Sequence, residues 1–299
     1  MELNLNSNHT LPVLGLGTWK LTGDTAANIV EAAIKAGYRH LDCAMVYQNE
    51  AEVGRGIKAA IDQGIVKRED LFITSKLWNT DHAPVDVAKA IKSTLRNLGT
   101  DYLNLYLVHW GVAFEQGPEL EPLDKRGIAR FAPIPMADTW RAMEMLVEQD
   151  LVHSIGVANF TAPMLIDLMT YARIRPVVNQ IELHPYHTQA ELVAFCRAQG
   201  VAVTAYSPFG STGASVLEDP EIKRLAQAYH KTPAQIALRW AIQRGTAAIP
   251  KTSSLERLTE NLGALDFNLS DEDMASITAL DQRKIMVDPI KWWGFPYFS

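Results

Sequence analysis

Four side chains that move protons or steady charge fall where short apolar runs end: Asp42, Tyr47, Lys76 and His109. A carboxylate, a phenol, an ammonium and an imidazole are the groups proteins use for general acid–base work and for supporting an oxygen that gathers negative charge. Each also has an ordinary reading. Asp42 would cap a helix, Lys76 would end a strand in solvent, His109 behind an apolar run would be a satisfied core histidine, and Tyr47 would pack. Their shared position weighs against four coincidences. Other polar residues recur at the same kind of place: Asn159, Gln180 and His184, Tyr206 and Ser207, and Lys251. Metal-ligand spacings, HExxH, CxxC and a phosphate loop are absent from the sequence. Gly15-Leu16-Gly17 lacks the third glycine of a dinucleotide fingerprint and runs into Trp19-Lys20, not into a helix start.

The elements that must position these residues alternate. Strands are expected at Val13–Thr18, His40–Ala44, Leu71–Leu77, Tyr102–His109, Ser154–Asn159, Val177–His184, Val201–Ser207 and Ala247–Lys251. Helical patterns lie between them: Ala26–Ala36, Glu50–Gln63, Val85–Leu98, Ala137–Gln149, Ala162–Tyr171, Thr188–Gln199, Pro220–His230, Pro233–Gln243 and Leu255–Leu262. Eight such units in about 250 residues fit a (β/α)8 TIM barrel better than an open doubly wound sheet. In a barrel, function gathers at the C-terminal ends of the strands, so the four side chains above converge on one rim. Glu2–Thr10 reads as a hairpin over the barrel floor. The stretch Gly111–Pro135 is a long irregular loop after the fourth strand. The tail Asp281–Ser299 has no helical period, yet it carries Trp292, Trp293, Phe295, Tyr297 and Phe298, which predicts an ordered segment.

Composition bounds the rest. The chain has 299 residues, expected to form one domain over 1–299, and 47% are apolar. There are 28 Lys and Arg against 34 Asp and Glu, a formal net charge of −6, with no basic stripe for nucleic acid. No apolar run is long enough for a bilayer, and the first residues lack a secretory pattern. Cys43 and Cys196 cannot make a disulfide framework. The expectation is a cytoplasmic protein, monomeric or homodimeric, acting on small molecules.

The sequence resembles the aldo-keto reductase superfamily over nearly its whole length. The carrying stretches are Leu14–Trp19, Gly37–Glu50, Ile73–Trp78, Leu105–Trp110, Ile155–Phe160, Asn179–Glu182, Ala205–Pro208 and Ile249–Thr252 with Arg257, Glu260 and Asn261. Within it, Val46–Glu50, Trp110, Phe114 and Pro122–Asp124 resemble aldose reductase. Asp288-Pro289 and Pro296–Phe298 resemble xylose reductase.

The resemblance implies a catalytic tetrad of Asp42, Tyr47, Lys76 and His109 that reduces an aldehyde or aldose to an alcohol. A free tyrosine, with a pKa of about 10, is a reluctant acid. A neighbouring ammonium favours the phenolate and is expected to lower that value. Lys76 would do this for Tyr47, Asp42 would hold Lys76, and His109 as a neutral imidazole would orient the carbonyl. The implied cofactor is NADPH, laid across the barrel mouth. Tyr206 would stack on the nicotinamide and Asn159 and Gln180 would hold its carboxamide, with Thr18, Trp19, Asp42 and Ser207 around it. Lys251, Thr252, Ser253 and Arg257 would read the 2′-phosphate, with Glu260 and Asn261 beside the adenosine. Alternatively, Arg257 is an exposed helix residue paired with Glu260 at i+3.

Trp19, Trp78 and Trp110 follow strands one, three and four, where aromatics either pack or line a slot. With Tyr47, His109 and Trp292 they form the expected substrate pocket. Two positions depart from the family pattern: Ala158, where a serine is usual, and Met45, where a histidine is usual. An aldose-6-phosphate reductase is a second reading, weakened by Gln48 where such enzymes tend to have lysine. A non-catalytic NADPH-binding barrel is a third.

Overall fold

The computed structural model describes residues 1–210 and 216–298. Eight parallel strands form one sheet, ordered as they occur in the chain: β3 Leu16–Gly17, β4 His40–Asp42, β5 Phe72–Leu77, β6 Leu105–Val108, β7 Ile155–Ala158, β8 Val178–Glu182, β9 Ala202–Tyr206 and β10 Ala247–Ala248. The first and last meet. Leu14 bridges Ala248 in parallel, and the Ala248 N–H donates to Val13 O at 2.7 Å. Closure leaves the eight-stranded sheet without a free edge strand among the described residues. It also explains Gly17: a Cβ there would lie 2.8 Å from the Ile249 carbonyl oxygen. Strands β3 and β10 are shorter than expected, because ladder pairing at the closing seam is reduced to this bridge and its neighbours.

Helices follow the strands: α1 Gly23–Ala36, α2 Glu50–Asp62, α3 Pro84–Leu98, α4 Met136–Glu148, α5 Ala162–Tyr171, α6 Ala190–Ala198, the pair α7 Pro220–Ala228 and α8 Pro233–Gln243, and α9 Leu255–Leu262. Local chemistry starts several of them. Thr232 and Gln235 form a reciprocal capping box under Pro233. The antiparallel pair β1 Glu2–Asn4 and β2 Thr10–Pro12 is the expected hairpin. Its Leu5 and Leu11 pack with Phe72, Leu105, Val178 and Ala247, the first residues of four strands, and so close the floor.

Two elements were not expected. Helix α10, Asp271–Thr278, starts where the Ser270 hydroxyl accepts the Asp273 N–H. Asp271, Glu272 and Asp273 in its first turn suit the positive end of the helix dipole. The tail contains one helical turn, α11 Ile290–Trp293, too short to show a period. It stops at Gly294 (φ +69°), where a Cβ would meet the Gly127 carbonyl oxygen at 2.7 Å. Ser299, the last residue of the expected tail, lies outside the described residues. The 111–135 loop is held by antiparallel bridges Phe114–Phe131 and Leu123–Ala129.

Candidate active site

The period of two along each strand decides what enters the barrel. On β5, Phe72, Thr74 and Lys76 alternate with Ile73, Ser75 and Leu77. The outward Ser75 hydroxyl donates to Glu50 on α2 at 2.6 Å. The inward Lys76 is 1% exposed and extends toward the upper rim. A buried ammonium needs partners, and Lys76 Nζ has three. It donates to Asp42 Oδ1 at 2.5 Å, to the Cys43 carbonyl at 2.9 Å and to Tyr47 Oη at 3.3 Å. Tyr47 ends a short 3₁₀ turn, Met45–Tyr47, separated from β4 by Cys43 and Ala44.

Burial disfavours the Lys76 ammonium, but Asp42 and Tyr47 outweigh it and hold its pKa above the ordinary value. For Tyr47 the balance differs from the sequence-based expectation. Burial raises its pKa; Lys76 pulls it down by charge and hydrogen bond, and the net direction is still upward. His109 follows β6, with its ring centroid 6.0 Å from that of Tyr47 at an interplanar angle of 80°. Burial, reinforced by Lys76, pushes its pKa well below the usual imidazole value, so it is neutral at pH 7.

The neighbouring strands deliver amides to the same rim. Gln180 on β8 donates from Nε2 to Asp42 Oδ2 at 2.7 Å. Asn159 donates to the His109 carbonyl at 2.9 Å and accepts from the Tyr206 hydroxyl at 2.7 Å. Asn159 (φ +64°) and Ser207 (φ +49°) adopt left-handed backbone immediately after β7 and β9. Such strained conformations of non-glycine residues concentrate at functional sites. The Thr18 hydroxyl donates to the Asp42 carbonyl at 2.8 Å, tying the first turn to the tetrad.

Aromatics wall one side. Trp78 meets His109 edge-on at 5.2 Å, and Trp110 lies 6.4 Å from His109, nearly parallel. Trp110 is crossed in turn by Trp293 at 4.9 Å and Tyr297 at 5.0 Å. Tail and loop are stitched together: the Gly111 N–H donates to Tyr297 Oη at 2.8 Å, and the Ala129 N–H to the Trp293 carbonyl at 2.9 Å. Trp293, 1% exposed, is the tail's anchor, and sequence reasoning singled out its neighbour. Trp292 is 41% exposed, as is Trp19 at 43%, with Lys20 Nζ 4.2 Å from the Trp19 ring. Met45 and Val46 pack on the same aromatic cluster.

Across the mouth, Lys251 and Arg257 are exposed at the N-terminal end of α9, with Ser253 exposed between them and Thr252 buried. Among the described residues neither cation has a carboxylate within 4.0 Å, so the expected alternative pairing of Arg257 with Glu260 is not formed. The Ser254 hydroxyl caps the helix through the Arg257 N–H. Glu260 is half-buried and Asn261 buried in the next turn. Two cations unpaired among the described residues, at a helix N-terminus, make a place suited to a dianionic phosphate group.

A closed parallel barrel with a lysine–aspartate–tyrosine–histidine cluster on its upper rim is a (β/α)8 barrel equipped for acid–base chemistry. Comparison with known proteins specifies it. Residues 13–282 match the Aldo/keto reductase family, and the chain belongs to that family. It is 43% identical over 296 residues to aldo-keto reductase family 1 member A1-A of Danio rerio, covering 96% of this chain and 91% of the relative. The Gallus gallus member A1 is 43% identical over 295 residues, covering 96% and 90%. The aldose reductase of Schistosoma japonicum superposes with a TM-score of 0.94 at 39% identity, covering 100% of this chain and 98% of that one. The aldose reductase of Giardia lamblia gives 0.93 at 42% identity, covering 96% and 98%.

Proposed function

We propose that the protein is an NADPH-dependent reductase of aldehydes and aldoses, with Tyr47 as the general acid. The observation that carries this reading is the Lys76 ammonium, buried between Asp42 Oδ1 and Tyr47 Oη. A carbonyl oxygen placed between Tyr47 and His109 has a proton donor on one side and a neutral imidazole on the other. Tyr47 gives its proton to that oxygen as charge develops on it. Lys76 steadies the phenolate left behind, which is where its charge is worth most in a dry site. Asp42 keeps the ammonium in place, and Gln180 keeps Asp42 in place. His109, neutral because of its burial, orients the carbonyl by hydrogen bond and does not compete for the proton. NADPH bound across this rim would supply the hydride. Tyr206, Asn159 and Gln180 are the residues that would hold its ring and carboxamide; Lys251, Thr252, Ser253 and Arg257 would hold the 2′-phosphate.

The aromatic wall of Trp78 and Trp110 suits apolar and neutral aldehydes, and the uncharged Gln48 beside Tyr47 offers no cation for a sugar phosphate. Two free, buried cysteines support a reducing, cytoplasmic setting. The test is direct: mix the protein with NADPH and DL-glyceraldehyde and follow nicotinamide absorbance. Steady oxidation of NADPH supports the reading. NADPH binding without turnover on any aldehyde supports a regulatory barrel instead.

A further inference from the structure

Glu182, at the last position of β8, is a buried carboxylate that the reaction above does not use. It is 3% exposed and lies two residues beyond Gln180, on the same face of the strand. Both of its oxygens are engaged, and their partners come from the far end of the chain. Oε1 accepts the Met286 N–H at 2.9 Å and Oε2 accepts the Val287 N–H at 2.9 Å. His184 Nε2 lies 3.0 Å from Oε1, and the ring is fully buried. The Glu182 backbone carbonyl accepts from Gln189 Nε2 at 2.6 Å. Among the described residues, the Met286 and Val287 amides have no other acceptor.

What this clamp holds is part of the site. Val287 packs on the cluster of Trp78, Trp110, Phe114 and Trp293, together with Met45 and Val46. Upstream, the tail is tied by Gln282 and Lys284 N–H groups to the Tyr186 carbonyl, and by Asp281 to the Thr188 hydroxyl. Downstream, it is tied through Trp293 and Tyr297 to the 111–135 loop. Between these two moorings, the Glu182 carboxylate is the only side-chain acceptor for the tail backbone at 286–287 among the described residues. Strand β8 thus holds two elements from one face: Gln180 donates to Asp42, and Glu182 accepts from the tail backbone.

We infer that Glu182 is a positioning residue for substrate selection: by clamping the Met286 and Val287 amides it fixes the tail against Trp78 and Trp110, and thereby sets which aldehydes fit. The inference rests on the proposed reductase reading. A merely structural role would lower all activities together, whereas a wall that has lost its clamp redistributes them.

The experiment uses the full-length chain as wild type, Glu182→Ala and Glu182→Asp, the last retaining a carboxylate on a shorter stem. Three quantities are read: kcat and KM for DL-glyceraldehyde and for a bulky aromatic aldehyde, the NADPH dissociation constant, and amide hydrogen exchange along the tail. Glu182→Ala is expected to change the bulky-to-small ratio of kcat/KM by about tenfold, mainly through KM, since small misplacements at a site are costly. NADPH affinity should stay within about threefold, and exchange at Met286 and Val287 should accelerate by about a hundredfold or more while the Ala129 amide stays protected. Glu182→Asp should fall between. An unchanged aldehyde ratio, or an equal loss across both aldehydes and NADPH binding, overturns the inference. If Glu182→Ala does not fold, Glu182→Asp decides on the same criteria. If wild type reduces no aldehyde, the function reading fails, and unaltered exchange at 286–287 would then overturn the clamp separately.

Discussion

Gln180 reaches across the barrel to hold Asp42: its Nε2 lies 2.7 Å from Asp42 Oδ2, while Asp42 Oδ1 lies 2.5 Å from Lys76 Nζ. The carboxylate is thus gripped from two sides by groups 34 and 138 residues away. A hydrogen bond to a charged group is worth about 1.5–3 kcal/mol. Gln180→Leu, similar in size but unable to donate, should lower kcat/KM by about 10–100-fold. The parallel measurement is the NADPH dissociation constant, which should also rise because Gln180 is a proposed carboxamide partner. Wild-type kinetics in this variant would dismiss the grip as incidental.

Lys76→Met should be more damaging, and in two separable ways. It removes the charge beside Tyr47 and leaves Asp42 buried without a counter-ion, which costs about 3–5 kcal/mol of stability. Adding Asp42→Leu to Lys76→Met should recover much of the lost stability and none of the activity. Denaturant unfolding and turnover, measured on both variants, check this. Stability that stays low in the double variant would show that the pair is not the source of the loss.

Arg257→Met should weaken NADPH by about 10–100-fold and leave NADH little changed, the range expected for one charge-assisted contact to a phosphate. Titrating both cofactors settles the point. Equal weakening would mean that Arg257 serves the adenine or the fold and does not read the 2′-phosphate.

Acid should destabilise the fold earlier than carboxylate titration alone predicts. Burial lowers the pKa of His40 to about 4 and of His82 to about 3, and holds His109 well below the usual imidazole value. Unfolded, each titrates near 6.5. Above that value both states are neutral and nothing is lost. As pH falls below 6.5 the unfolded chain takes up protons that the folded chain refuses, until the folded values are reached. Each histidine then costs about 1.4 kcal/mol per pH unit. Between pH 6.5 and 5 the three together remove about 6 kcal/mol by this count, which is an upper figure. Urea unfolding at pH 7 and pH 5 reads the difference. His82→Gln should reduce it by about 2 kcal/mol, and an identical pH dependence in that variant would refute the assignment.

The barrel was legible because its signals are local. Strand and helix periods alternate, prolines and hydroxyl residues start helices, and Lys76 and His109 stand at strand ends. The barrel geometry then brings Asp42, Tyr47, Lys76 and His109 together without further information. What the sequence hid is what long-range contact decides. Trp292 and Trp293 are neighbours in a one-turn helix, and only the stop at Gly294 and the packing on Trp110 and Phe114 say which of them turns inward. Glu182 stands in a motif beside Gln180, yet its partners lie 104 and 105 residues on. The direction of the Tyr47 pKa was missed because spacing reveals a neighbouring lysine and says nothing of the burial that opposes it. Helix α10 is different in kind: Ser270 followed by three acidic residues was a readable start signal.

The central claim is that the Tyr47 hydroxyl gives the proton. Its most direct test is Tyr47→Phe, which keeps the ring and removes only the donor. NADPH binding, followed by quenching of intrinsic fluorescence, reports whether the site is intact, and aldehyde turnover reports the chemistry. General acid catalysis contributes about 10²–10⁴-fold. The account predicts a loss of at least that order with the NADPH dissociation constant nearly unchanged. A Phe variant that keeps more than about a tenth of wild-type turnover would contradict it.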